Sequence, residues 1–299
     1  MNLCLGTVQF GMDYGIKGQK RPTLDQSIEM LDYATQNGIT HLDTAYAYGS
    51  AEDVLGCFIR KKTVPRDSLF ISAKLCPNIL DELSKNQYYT AIRKNLEESL
   101  RRIGTDYLDA YMCHSSRYVY NDDILGAMKC LKEDGLVKHV GVSVYEVEEA
   151  RRCLSSEYTD FMQLPFSILD QRMFSTGVLD DYIDGETQID ARSAFIQGLI
   201  TMQCDQIPNF LAKARPIMQK VDSLCKRYNV KPVELAIGFV KNCRDISHLV
   251  FGVDNMAQLK EDIRIFNGSS LSSDILIDIG KEFRDISADI VMPSLWKKN

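Results

Sequence analysis

The chain has 299 residues, 45% hydrophobic and 25% charged, which is the composition of a globular protein with one large core or two modest ones. Its formal net charge of −6 and its lack of a basic stripe argue against binding to a nucleic-acid backbone. The nine cysteines are scattered without a CxxC pair or a metal-ligand spacing, so we expect free thiols and no metal. The sequence lacks signal-peptide features and a long apolar run, so we expect a cytoplasmic protein without membrane contact.

Short apolar segments alternate with amphipathic helical segments along the chain. Strands are predicted at 2–7, 39–43, 69–74, 107–113, 137–142, 161–164, from 190 onwards, and at 247–251. Helices are predicted at about 23–38, 50–60, 87–104, 122–134, 146–154, 209–228, 232–242 and 255–266. This alternation indicates parallel strands that are joined by helical crossovers.

Eight such strands predict an α/β fold, a closed (β/α)8 TIM barrel that spans residues 1–299 as a single domain, with a surface helix and an extension from about residue 271. The alternative is an open doubly wound sheet, which requires a GxGxxG turn after the first strand. Gly6 and Gly11 are five residues apart and do not form that turn. Because the active sites of TIM barrels lie at the carboxyl ends of the strands, the residues at those ends are the candidates for function.

Three successive predicted strands end on residues that can handle protons. Asp43 and Tyr48 lie at and just beyond the end of the second strand, Lys74 ends the third, and His114 follows the fourth. In a barrel these ends are neighbours, so Lys74 is expected to lower the pKa of the Tyr48 phenol while Asp43 keeps Lys74 charged. Each residue alone has a structural interpretation, as a turn former, a packed aromatic, a solvent-reaching lysine or a core histidine. Their coincidence at consecutive strand ends favours one shared site.

The pattern DTAxxYG at 43–49, followed by strands that end in Lys74 and His114, resembles the aldo-keto reductase family. The resemblance covers nearly the whole chain. It implies a barrel that binds NADP(H) or NAD(H) across its mouth and interconverts a small-molecule carbonyl substrate and its alcohol. It also implies that Tyr48 is the general acid, that Lys74 and Asp43 tune it, and that His114 orients the carbonyl. The family spacing selects Tyr48 over the competing phenol Tyr46.

The resemblance also assigns residues to the nicotinamide cofactor: Thr7, Asp43, Ser143, Gln163, Arg192, Ser193, Phe195, Gly252, Gln258, Glu261 and Asp262. Ser143 is followed by Val144, where the family usually has Asn. Arg192 stands where many members carry an aromatic residue that stacks on the nicotinamide. A guanidinium plane can also stack on a ring, so Arg192 either replaces that aromatic residue or pairs with a carboxylate near the rim.

The choice between NADPH and NADH stays open at this point. Asp254 lies where members that use NADPH often have Ser, Arg or Lys, and Asp262 replaces a usual Asn. An acid beside the 2′-phosphate is unfavourable, which favours NAD(H). A compensating charge from Lys213, Arg215 or Lys260 would favour NADP(H).

The sequence indicates the substrate less specifically than it indicates the catalytic residues. The segment GTVQFGMDYGI at 6–16 resembles bacterial aldo-keto reductases that accompany sugar and surface-polysaccharide synthesis, which suggests a sugar or nucleotide-sugar carbonyl. We expect a monomer or a small homo-oligomer, and a shortened or absent amino-terminal hairpin. The alternatives are a nucleotide-binding regulatory protein with little turnover on the same barrel, and a non-redox lyase or isomerase that uses Lys74 as a Schiff-base amine.

Overall fold

Eight parallel strands form a closed barrel in the computed structural model, which describes residues 1–179, 187–268 and 270–297. The strands follow one another around the barrel in chain order, and the last pairs with the first. They are β1 (Asn2–Gly6), β2 (His41–Asp43), β3 (Phe70–Lys74), β4 (Leu108–Cys113), β5 (Val137–Ser143), β6 (Phe161–Pro165), β7 (Gln188–Arg192) and β8 (His248–Phe251). The predicted TIM barrel is confirmed, with each strand close to its expected position.

Helices connect the strands and cover the outside of the barrel. Within the described residues they are α1 (Val8–Gly11), α2 (Leu24–Gln36), α3 (Ala51–Arg60), α4 (Lys85–Ile103), α5 (Asp122–Glu133), α6 (Val147–Leu154), α7 (Arg172–Ser175), α8 (Arg215–Tyr228), α9 (Pro232–Lys241), α10 (Met256–Asn267), α11 (Ser273–Phe283) and α12 (Ala288–Val291). Local signals set their ends. Thr23 starts α2 with a capping box, and Gly104 ends α4 in the left-handed conformation, with a φ of 74°. No helix in these ranges is long and apolar enough to cross a membrane.

The helix predicted at 209–228 is shorter in the structure. Residues Asn209–Ala214 form 3-10 turns, in which Leu211 departs from helical geometry, and α8 begins only at Arg215. The physical reason is Pro216. Inside a long helix its ring would clash with a carbonyl one turn earlier, whereas the first turn of a helix tolerates proline.

The carboxyl-terminal segment packs against the outer helices. Ile275, Ile279 and Phe283 share one face of α11 and are buried in a second apolar cluster outside the barrel strands. Trp296 belongs to the same cluster, and its indole N–H donates to the Ile290 carbonyl at 3.2 Å. The predicted surface helix is present, and its inner face extends the core.

Three aromatic rings stack at the amino-terminal ends of the strands. The His41 ring lies between Phe70 and His248, at centroid distances of 4.5 and 3.8 Å. His248 Nδ1 lies 2.9 Å from the Asp190 carboxylate. Burial, followed by the charge of His248, lowers the pKa of His41 to about 4, so this ring is neutral at pH 7. These histidines close the end of the barrel that lies opposite the catalytic candidates.

Candidate active site

A tight turn after β2 carries Tyr48 over the carboxyl end of the barrel. Gly49 has a φ of 59°, and a Cβ atom on it would lie 2.4 Å from the Gly11 carbonyl oxygen. A Cβ atom on Gly11 would lie 1.8 Å from the Tyr48 carbonyl oxygen. Glycine at both positions therefore lets α1 and the turn approach closely enough to position the phenol.

Asp43 and Lys74 form a buried ion pair at the centre of the site. Lys74 Nζ lies 2.6 and 2.8 Å from the two carboxylate oxygens, and the two side chains are 1% and 4% exposed for Lys74 and Asp43. Ser72 Oγ and Gln163 Nε2 donate to the same carboxylate at 3.0 and 2.9 Å. Gln163 lies on β6, which is not a neighbour of β2, so both side chains point into the barrel. The contacts explain how a carboxylate and an ammonium are accommodated away from water.

The Tyr48 phenol lies beside this ion pair. The Lys74 ammonium is 5.2 Å from the Tyr48 ring centroid, and the His114 ring meets the phenol edge-on at a centroid distance of 5.9 Å. Burial, and then the Asp43 carboxylate, raise the pKa of Tyr48 well above its ordinary value, while Arg192 lowers it. This direction is opposite to the lowering expected from Lys74, because burial disfavours the phenolate and the Asp43 carboxylate adds to that effect. The phenol is consequently protonated at neutral pH and is a proton donor.

His114 is neutral for a similar reason. Burial, followed by the charges of Lys74 and Arg192, lowers the pKa of His114 to about 3. A neutral imidazole has one N–H donor and one acceptor nitrogen. The buried Nδ1 atom makes no hydrogen bond within the described residues. The N–H group of the neutral ring can therefore donate a hydrogen bond to a carbonyl oxygen, and the ring keeps its proton.

Tyr46, the competing phenol, is directed away from the site. Its hydroxyl donates to Glu98 Oε2 at 3.0 Å, and the Arg102 guanidinium covers its ring at 4.4 Å. Both partners belong to α4 on the outside of the barrel. The geometry therefore separates the two tyrosines, with Tyr46 directed to the outside of the barrel and Tyr48 lying beside the Asp43–Lys74 ion pair.

Only some of the residues predicted to bind the nicotinamide end of the cofactor contact one another. Ser143 and Gln163 are buried and are paired across β5 and β6. Thr7 Oγ1 donates to the Asp43 carbonyl at 2.9 Å, so it supports the backbone at the end of β2. Ser193 follows β7 with a φ of 65°, and Phe195 is half-buried against apolar side chains.

Arg192 extends from the end of β7 across the mouth. Its Nη2 atom donates to the Val144 carbonyl at 2.8 Å and its Nη1 atom to Ser193 Oγ at 3.3 Å. Its guanidinium lies 4.3 Å from the ring centroid of Tyr145. Among the residues that the structure describes, no carboxylate forms an ion pair with Arg192. The expectation of a rim ion pair is therefore not supported.

The residues predicted for the adenosine end are arranged around the start of α10. Gly252 lies against the Gln9 amide, since a Cβ atom on Gly252 would be 2.2 Å from Gln9 Oε1. Gln258 Oε1 accepts the Asp254 N–H at 2.7 Å. Glu261 is paired with Lys231 at 2.7 Å. Gln258 and Glu261 thus already have partners within the chain.

Asp262 is buried on α10. Burial, followed by the charge of Glu261, raises the pKa of Asp262 to about 7. Within the described ranges, its carboxyl group has no hydrogen-bond partner. Ionisation of the Asp262 carboxyl group is therefore unfavourable in the folded chain.

Asp262→Asn is expected to raise the free energy of unfolding by roughly 1 to 3 kcal/mol at pH 8, and by little near pH 4. The folded-state pKa exceeds the unfolded value, so the contribution of Asp262 to stability is present at low pH and is lost as the pH rises through about 7. Urea unfolding of both proteins at several pH values measures the effect. The exposed Asp285→Asn is the matched control and should show no such pH dependence. An equal gain at pH 4 and pH 8 would contradict the prediction.

Two residues that contact the candidate site residues were not predicted from the sequence. Ser72 donates to Asp43, and its position two residues before Lys74 on an inward-facing strand is the signal that would have identified it. Tyr145 lies under the Arg192 guanidinium, and no sequence pattern pointed to this contact. Among the described residues, no group of three or more potential ligands could hold a metal ion.

Comparison with known proteins identifies a family and similar folds. The model of the aldo/keto reductase family matches residues 2–279. The NADH-specific methylglyoxal reductase of Escherichia coli is 24% identical over 271 residues, which make up 80% of this chain and 82% of that protein. The NAD/NADP-dependent indole-3-acetaldehyde reductase of Schizosaccharomyces pombe is 33% identical over 157 residues, 51% of this chain and 49% of that protein. A solved structure of a protein from Pseudomonas aeruginosa shares the fold with a TM-score of 0.65 and 21% identity over 88% of each chain.

Proposed function

The chain belongs to the aldo/keto reductase family, and on that premise we propose that it reduces a small aldehyde or ketone with NADH, with Tyr48 as the proton donor. The observation that carries the proposal is the half-buried, protonated Tyr48 phenol, which lies beside a neutral His114 and the Asp43–Lys74 ion pair. Members of the family use NAD(P)H, and the similar proteins include reductases of methylglyoxal and indole-3-acetaldehyde.

The chain's own part in the reaction is to orient the carbonyl and deliver a proton. A bound dihydronicotinamide supplies the hydride. The Tyr48 hydroxyl donates its proton to the carbonyl oxygen, and the neutral His114 ring hydrogen-bonds that oxygen. As the phenol becomes a phenolate, the Lys74 ammonium at 5.2 Å from the ring stabilises the new negative charge.

Ser143 and Gln163 are suited to hold the nicotinamide carboxamide. The amide nitrogen of Gln163 is used by Asp43, which leaves its oxygen to accept a hydrogen bond. The neighbouring Ser143 hydroxyl can donate as well as accept. These two groups complement the N–H and C=O of a carboxamide, although Val144 stands in place of the usual Asn.

The basic residues that could bind a 2′-phosphate are engaged elsewhere. Lys213 is paired with Asp289 at 2.7 Å. Arg215 donates to a backbone carbonyl at 2.8 Å, and the Lys260 ammonium lies 5.2 Å from the Tyr33 ring centroid. The carboxyl groups of Asp254 and Asp262 lie at the start of α10 and within it. An anionic phosphate here would lie beside two acidic side chains, and Lys213 is already neutralised by Asp289, so we favour NADH over NADPH.

NADH is therefore expected to bind at least about tenfold more tightly than NADPH, a difference of about 1.4 kcal/mol. Titration of the purified protein with each nucleotide, followed by nucleotide fluorescence, measures the ratio. Asp254→Ser should raise the affinity for NADPH more than that for NADH, whereas the exposed Asp285→Asn should change neither. Tighter binding of NADPH to the unmodified chain would overturn the assignment, and binding of neither nucleotide would overturn the redox function.

The competing functions are less well supported by the site. A Schiff-base enzyme needs an uncharged, accessible lysine amine, whereas Lys74 is 1% exposed and donates to both oxygens of Asp43. A regulatory protein with little turnover has no evident use for a protonated phenol beside a neutral imidazole. Borohydride trapping on Lys74, or nucleotide binding without turnover of any aldehyde, would favour these alternatives respectively.

The finer identity of the substrate stays a prediction. Reduction of a sugar or nucleotide-sugar carbonyl rests on the resemblance of residues 6–16, and the monomeric or small oligomeric state is likewise an expectation. NADH oxidation measured with methylglyoxal and with simple aldoses compares a small carbonyl compound with a sugar carbonyl directly.

A further inference from the structure

Arg192 carries a positive charge at the mouth that no described side chain neutralises. Its two hydrogen-bond acceptors, the Val144 carbonyl and the Ser193 hydroxyl, are both uncharged, and so is the Tyr145 ring beneath it. A guanidinium has five N–H donors, and Nε is buried without an acceptor. The other cation of the site, Lys74, is by contrast fully paired with its carboxylate.

The Arg192 guanidinium lies close to the reacting groups. Its Cα atom is paired with Pro165 on β6, yet its Nη2 atom reaches the Val144 carbonyl beyond β5. The side chain therefore spans the mouth from β7 to β5. In keeping with this position, its charge lowers the pKa values of both Tyr48 and His114. A group bound to Arg192 would therefore lie at the same mouth of the barrel as a carbonyl that contacts Tyr48.

Contact with the nicotinamide alone does not account for a cation at this position. The ring gains a positive charge when it gives up hydride, and a fixed guanidinium nearby opposes that charge. An anion between the two would remove the conflict. Arg192 is one unpaired positive charge, which matches a carboxylate better than a phosphate dianion, and the planar fork of Arg suits a carboxylate.

We propose that the substrate carries a carboxylate a few atoms from its carbonyl group, and that Arg192 binds this carboxylate while the carbonyl faces Tyr48. The Val144 carbonyl and the Tyr145 ring hold the guanidinium in place for this contact. The inference rests on the proposed carbonyl reduction, and it narrows the substrate class to aldehyde or keto acids.

The test compares an aldehyde acid with its neutral ester in the same enzyme. Succinic semialdehyde and its methyl ester have the same carbonyl and differ in the charge at the other end. In the unmodified chain we expect kcat/KM for the acid to exceed that for the ester by at least about tenfold, and Arg192→Gln to reduce this ratio by about 10- to 100-fold. Both rates come from one variant with one nucleotide, so the ratio cancels any effect of the substitution on nucleotide binding. Arg192→Lys should retain part of the preference.

Arg117→Gln is the matched control for long-range electrostatics. It also removes one positive charge from the loop after β4, but Arg117 is exposed and already paired with Asp81. Its acid-to-ester ratio should stay within about threefold of the unmodified value, since an exposed ion pair contributes little. An Arg192→Gln ratio equal to the unmodified one would overturn the inference, as would an equal loss in Arg117→Gln.

A binding measurement separates failure of this inference from failure of the proposed function. Calorimetric titration with 4-hydroxybutanoate, compared with 1,4-butanediol, measures carboxylate binding without turnover. Binding of the hydroxy acid that is lost in Arg192→Gln supports the carboxylate site even if neither aldehyde is reduced. Failure of the unmodified chain to distinguish the two alcohols would overturn the site even if aldehydes are reduced.

Discussion

Tyr48→Phe is expected to lower kcat for carbonyl reduction by roughly 10² to 10⁴, the range that positioned general acids contribute. The substitution removes one oxygen atom and keeps the ring that packs edge-on against His114. Because this oxygen is the proposed proton source and Tyr48 is not among the residues predicted to bind the nucleotide, the affinity for NADH should change little. Steady-state kinetics, together with nucleotide titration of the same variant, separate the two effects.

Tyr46→Phe is the matched control for this experiment. It removes the same phenolic oxygen two residues away, where the hydroxyl donates to Glu98 outside the barrel. This variant should keep most of its activity and lose only the small contribution of one half-buried hydrogen bond to stability. Full activity in Tyr48→Phe, or a comparable loss in Tyr46→Phe, would sink the assignment of the acid.

Lys74→Met is expected to abolish turnover and to lower the free energy of unfolding by about 3 to 5 kcal/mol at pH 7. Methionine retains most of the side-chain volume, so the main change is the loss of the ammonium. The buried Asp43 carboxylate then keeps only the donors of Ser72 and Gln163. Urea unfolding at pH 7 measures the stability, and NADH oxidation measures the activity.

The double variant Asp43→Asn with Lys74→Met separates stability from catalysis. With neither charge left in the barrel, much of the lost stability should return, because an uncompensated buried charge is the source of the penalty. Activity should not return, since the phenolate would still lack the Lys74 ammonium beside its ring. Equal stability of the single and double variants would contradict the account of the ion pair, and recovered activity would contradict the role of Lys74.

Much of the fold follows from patterns that are local in the chain. Apolar runs of strand length, helical spacing of apolar residues, and capping signals such as Thr23 and Gly104 are short-range features, so eight strands and most helices could be predicted. The main error lies at 209–214, where Pro216 was not recognised as a helix start. The four catalytic candidates could also be predicted from the sequence, because parallel strands bring their carboxyl ends to one side of a barrel.

The sequence by itself therefore determined the barrel, the end at which the candidate site lies and the residue types at that end. Only the tertiary structure decided that Gln163 reaches across the lumen to Asp43, that Tyr46 turns outward to Glu98, and that Arg192 has no carboxylate partner. It also reversed the expected direction of the Tyr48 pKa. The physical reason is that ionisation depends on burial and on distances of a few ångströms between groups far apart in the chain. Periodicity and motif spacing do not encode those distances.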